Sequence, residues 1–130
     1  MLITIALFAS LQAANPHPPT AEPETLEEIR VIGRKLRNWR GSLKTKGGVA
    51  RCVTKKSTGD RDVDRIGCDA MLACFPKFEG ELKAVLSTAP DRASRDRSNA
   101  EIGRRLTACV QERHDRLAEA LADRRADDRS

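Results

Sequence analysis

The sequence has no tyrosine, one tryptophan and three phenylalanines, so the side chains that bury most area each supply little of any core. Histidine is equally scarce. His17 lies in a proline-rich stretch and His114 on a charged segment between Arg113 and Asp115, and neither place suits a metal ligand or a general base. No G-x-S-x-G, Walker or H-E-x-x-H string occurs, which removes the common signatures of serine hydrolases, phosphate-cradling loops and zinc proteases. Acidic residues are missing altogether from Ile29 to Gly59, where ten Lys or Arg residues stand. A long apolar run is missing too: the longest, Leu2 to Leu11, is half of the roughly 20 residues a bilayer span requires.

That uncharged opening, MLITIALFASLQAA, fits the apolar region of a secretory signal peptide and points to a periplasmic or secreted protein with no transmembrane span once matured. Residues 1–14 are therefore read as signal and 15–24, NPHPPTAEPE, as a proline-rich tether. The rest of the chain is long enough for one domain, over residues 25–122, with a charged and fraying tail at 123–130. The formal net charge of +5 resides in the first half of that domain, because residues 91–130 hold ten basic and nine acidic side chains.

Within the domain, residues 25–38 admit two forms: Leu26, Ile29, Ile32, Leu36 and Trp39 keep helical spacing, whereas IRVI is rich in β-formers and Gly33 interrupts a helix. Of the two, a strand over 28–35 is the one expected. Gly47-Gly48 marks a tight turn between WRGSLKTK and VARCVTKK, a hairpin over residues 39–55. Pairing Lys46 with Val49 puts Leu43 opposite Cys52. Trp39, Gly41, Leu43, Ala50 and Cys52 then share one face, while Arg40, Lys44, Lys46, Arg51 and Lys55 share the other with Val49 and Val53. Three helices are expected next. The first runs from about 60 to 75 and stops at Pro76; the second covers 77–87; the third covers 98–122 and starts on a capping box of Ser98 and Glu101. The third carries a seam of Ile102, Leu106, Cys109, Leu117 and Leu121, with supporting pairs Glu101/Arg105 and Glu112/Arg116. The expected fold is α+β, a small antiparallel sheet covered on one face by three helices.

Four cysteines, at 52, 68, 74 and 109, make two disulfides in an oxidising compartment. Cys68 and Cys74 lie six residues apart on one helix, about 9 Å, beyond the roughly 7 Å that a bridge spans. Cys52 lies about 13 Å back along its strand and Cys68 about 12 Å into the helix beyond it, so the two sit level if that helix folds back along the hairpin. The expected pairs are Cys52 with Cys68 and Cys74 with Cys109. Zinc is disfavoured, since the closest cysteines are six apart rather than in a C-x₂₋₄-C pair.

Asp60, Asp62 and Asp64 alternate in DRDVDRIGCD, which resembles the D-x-D-x-D-G-x-x-C-E string of the extracellular Excalibur calcium-binding domain. That resemblance implies calcium ligation by the three aspartates. Arg65, however, replaces the turn glycine, and Met71 stands where an EF-hand has its bidentate Glu. A helix start explains the same residues: Asp60 as cap, Asp62 and Asp64 at the positive end of the helix dipole. No bound metal or other cofactor is expected.

EEIRVIGRKL, CVTKKSTGD and the later C-x₅-C resemble small exported four-cysteine proteins of unknown function from Gram-negative proteobacteria. The E-I-x-V-x-G string is also similar to N-terminal segments of TonB-dependent outer-membrane receptors, without a plug or barrel sequence beyond it. Both likenesses imply an envelope location and neither implies an activity. The expectation is a non-enzymatic envelope protein whose basic hairpin face meets an anionic envelope component or an acidic protein, nucleic acid not being expected in vivo. Calcium binding by the DRDVD segment is the alternative.

Overall fold

The structure, a computed structural model, describes residues 23–129. The signal segment and residues 15–22 of the tether lie outside the described residues. Pro23 and Glu24, assigned from the sequence to the tether, instead open a helix, α1 (Pro23–Asn38), where the fixed φ of proline and an acidic first turn suit a helical N-terminus.

Helix α1 overturns the strand expected at 28–35. Thr25, Ile32 and Leu36 are buried and Ile29 packs beside them, a spacing of three, four and seven residues that only a helix brings to one face. The β preference of IRVI is the weaker influence, because burying that stripe outweighs propensity differences of a few tenths of a kcal/mol per residue. Gly33 is tolerated because a side chain there would meet nothing within 4 Å.

Trp39 comes immediately after and turns the chain into β1 (Arg40–Lys46), which pairs antiparallel with β2 (Val49–Lys56). Gly47 and Gly48 take φ of 60° and 78°, the left-handed values that a two-residue turn of this kind demands. The register is the one expected, Lys46 opposite Val49 and Leu43 opposite Cys52, with a bulge beside Arg40 and Gly41. Among the described residues the sheet has these two strands.

Helix α2 (Arg61–Thr88) is capped by Asp60, whose carboxylate accepts the Asp62 and Val63 N–H groups at 3.1 and 3.4 Å. It does not stop at Pro76, so the two helices expected at 60–75 and 77–87 are one. Pro76 and Leu72, whose carbonyl loses its donor, are both exposed, which lets water replace the missing bond. Ties to the last helix on both sides of the proline, Cys74–Cys109 before it and Glu81–Arg105 after it, hold the segment in place. That last helix, α3 (Arg92–Arg129), begins six residues before Ser98. Asp91, not Ser98, supplies the cap, accepting the Ser94 N–H at 2.7 Å, and Glu101 pairs forward with Arg104 instead of back to Ser98. Where fraying is expected from residue 123, the helix continues to Arg129.

Helices α2 and α3 form a long antiparallel hairpin, with α1 packed on the C-terminal half of α3 and the sheet laid on α2. The core is Ile32, Leu36, Val63, Ile66, Ala118, Leu121 and Ala122, with Ile29 and Leu117 beside it. It sits at one end of the helical hairpin. The sheet is covered chiefly by α2 and not by all three helices, because α1 is engaged on α3. Disulfides join Cys52 to Cys68 and Cys74 to Cys109, with Cα atoms 5.5 and 5.9 Å apart, so both expected pairings hold.

A candidate anion-binding face

The hairpin is fastened to α2 by Trp39. Its indole lies between Gly41 of β1 and Gly67 of α2, so close that a Cβ at either glycine would come within 2.3 and 2.5 Å of ring atoms. The indole N–H donates to Thr54 Oγ1 at 3.2 Å, and the Cys52–Cys68 bridge closes the same layer. Trp39, Gly41 and Cys52 on the inner face are thereby committed to the scaffold. On the outer face Lys44, Lys46, Val49, Arg51 and Val53 are exposed.

On that outer face Lys44 stands directly opposite Arg51, and Lys46 opposite Val49 beside the turn. Lys55 is the unpaired extra residue of the bulge. All four cations are exposed, and none is within ion-pair distance of a carboxylate among the described residues. Arg40 behaves differently. Its guanidinium turns back to donate to the carbonyls of Arg37 and Trp39 at 2.9 and 2.8 Å, closing the end of α1. The structure thus brings together Lys44, Lys46, Arg51 and Lys55 and gives Arg40 to helix capping. Val49 and Val53, 61% and 36% exposed, alternate with the cations along β2.

The three aspartates go elsewhere. Asp60 accepts from Lys35 at 3.3 Å and from Arg125 at 2.8 and 2.9 Å, in addition to its capping bonds. Burial opposes its ionisation, but the bonds from Arg125, Lys35 and the Val63 N–H outweigh that and hold its carboxyl below the usual range. Asp64 turns to the preceding loop, accepting from Ser57 and from the Thr58 N–H and hydroxyl at 2.8 and 2.7 Å. There, too, burial works against the charge and these donors prevail, lowering its pKa. Asp62 lies 3.6 Å from Arg125. Among the described residues no group of three or more His, Cys, Asp or Glu side chains can hold a metal ion.

Arg125 is the residue that sequence reasoning missed. It joins Glu28 of α1, at 2.8 Å, to Asp60 at the start of α2, and these bonds raise its pKa above its already high ordinary value. Nothing in DRRADDR singles it out, since its partners lie 97 and 65 residues away. His114 also differs from expectation. It is half-buried, lining one cavity with Gly33, Leu36, Arg37 and Asp115 and a second, about 290 Å³, with Met71, Phe75, Leu106 and Val110. Its Nε2 has no hydrogen-bond partner among the described residues. Desolvation lowers its pKa, against the upward pull of Asp115.

These features define a disulfide-stapled α+β domain that presents an unneutralised basic β-hairpin on a helical scaffold. Comparison with protein-family models, with curated proteins and with solved structures gives no match to this chain.

Proposed function

We propose that the protein is an exported, non-catalytic component of the cell envelope that binds an anionic partner through Lys44, Lys46, Arg51 and Lys55. The observation that carries this reading is the Lys44–Arg51 pair. Like charges placed directly across a strand pair destabilise it, and among the described residues no carboxylate pairs with either. A bound anion would relieve that repulsion. The two disulfides are compatible with an oxidising compartment, and among the described residues no helix is long and apolar enough to cross a membrane.

Titration with a soluble polyanion such as polyphosphate tests the reading. Affinity is expected to fall as salt rises, because attraction between exposed charges is screened over about 8 Å at physiological ionic strength. Joint Lys44→Glu and Arg51→Glu substitution is expected to abolish binding while leaving the thermal midpoint nearly unchanged, because one like-charge pair replaces another. Binding that survives the charge reversal would defeat the proposal. Calorimetry with calcium addresses the alternative: one site at millimolar or tighter affinity, with loss of the Arg125–Asp60 contact, would favour the DRDVD segment instead.

A further inference from the structure

Resting on the anion-binding reading, we infer that the partner of this face is the surface of a bilayer rich in anionic lipid. The cations are interleaved with exposed apolar side chains on a single extended surface. Along β2 the outward sequence is Val49, Arg51, Val53, then Lys55 at the bulge, and Lys44 and Lys46 flank it on β1. At about 3.3 Å per residue the eight residues of β2 extend about 26 Å. A long ribbon of this kind lies along an interface, with lysine and arginine heads at the phosphates and the valine methyls among the upper acyl carbons. The turn does not obstruct the approach, since Gly47 and Gly48 carry no side chains and space around them is open.

The same pattern suits the other polyanions less well. Single-stranded nucleic acid is held on aromatic platforms between the cations, and the one tryptophan of this protein faces inward, between Gly41 and Gly67. A duplex groove would set Val49 and Val53 against polar edges and phosphates with nothing to bury them. An acidic protein partner calls for a core with aromatic anchors over roughly 800 Å², and this face has two valines. A lipid interface makes no such demand. It takes charge at its surface and small apolar groups just below.

Co-sedimentation with vesicles of phosphatidylglycerol and phosphatidylcholine, set beside pure phosphatidylcholine and free polyphosphate, tests the inference. Binding is expected to the anionic vesicles and not to the neutral ones, falling about fivefold for each cation removed. Val49→Thr with Val53→Thr, which keeps the β-branched shape, should weaken vesicle binding about tenfold and leave polyphosphate binding unchanged. Val49→Trp gives a readout that does not depend on loss: its emission should shift to the blue on anionic vesicles and stay unmoved with polyphosphate. Polyphosphate binding without vesicle binding, tighter binding to duplex DNA than to vesicles, or indifference of vesicle affinity to the valine changes would each overturn the lipid assignment while leaving an anion site intact. Failure to bind either vesicles or polyphosphate would remove both.

Discussion

Two helical glycines separate what space allows from what it forbids. A Cβ at Gly33 meets nothing, whereas one at Gly67 comes within 2.5 Å of the Trp39 ring. Gly33→Ala should therefore stabilise the protein by about 0.5–1 kcal/mol, the ordinary helical preference for alanine. Gly67→Ala should do the opposite. Displacing the indole disturbs its Thr54 bond and the layer closed by Cys52–Cys68, for an expected loss of about 1–3 kcal/mol. Chemical denaturation of the two variants side by side checks both signs. His114 offers a third measurement at this scale. It lines cavities together with Arg37 of α1, apolar Met71 and Phe75 of α2, and Asp115 of its own helix. Its lowered pKa means that, just below the ordinary histidine value of about 6.5, the unfolded chain takes up a proton that the folded protein refuses. Stability should accordingly fall as pH drops from 7.5 to 5.5, and His114→Leu should flatten that slope in thermal melts across the window.

At the scale of the elements, the ion pairs divide by where they sit. Arg125, with its side chain 25% exposed, ties the last turn of α3 to both α1 and the cap of α2. Arg105 reaches Glu81 across the α2–α3 hairpin in a more exposed pair, and exposed pairs contribute little. Arg125→Met should cost about 2 kcal/mol at neutral pH, because Glu28 and Asp60 lose charged hydrogen bonds that each hold them in place. Arg105→Ala should cost less. Since the folded Asp60 titrates below its unfolded value, its contribution is complete above about pH 4 and is lost as the carboxylate protonates under further acid. The gap between the native protein and Arg125→Met should thus close below pH 4, a comparison that acid titration followed by circular dichroism makes directly.

For the molecule as a whole, the restraint falls where the apolar core is thin. The central cluster joins the three helices at one end, and Trp39, which lies outside it, packs the sheet on α2. Cys52–Cys68 fixes that sheet to α2, while Cys74–Cys109 ties α2 to α3 next to the proline and toward the end remote from α1. Intact mass of the oxidised chain should be about 4 Da below that of the reduced chain, two hydrogens per bridge. Cys74→Ser with Cys109→Ser should lower stability by about 2–4 kcal/mol, mainly by freeing the unfolded chain. Hydrogen exchange should then rise most around Pro76 and its partner stretch of α3, with the core near Ile66 and Ala118 less affected.

The sequence by itself determined the hairpin, its register and both disulfides, because the hairpin, the register and Cys52–Cys68 rest on short-range facts and Cys74–Cys109 follows once Cys52 is paired with Cys68. A Gly-Gly turn admits few geometries, and strand and helix lengths on either side of a four-residue loop leave Cys52 level with Cys68. The cap at Asp60 was equally local. The basic outer face came from strand alternation once the register was known. Tertiary structure decided the rest. Residues 28–35 are helical because α3, more than 80 residues on, offers a surface for Ile32 and Leu36. Pro76 is carried through because α3 supports the helix on both sides, and Asp123–Arg129 stays wound because Arg125 finds Glu28 and Asp60. Local preference differs by fractions of a kcal/mol per residue, and burial of one apolar side chain or pairing of one half-buried charge exceeds it. The partners that supply those larger energies are adjacent only after the chain has folded.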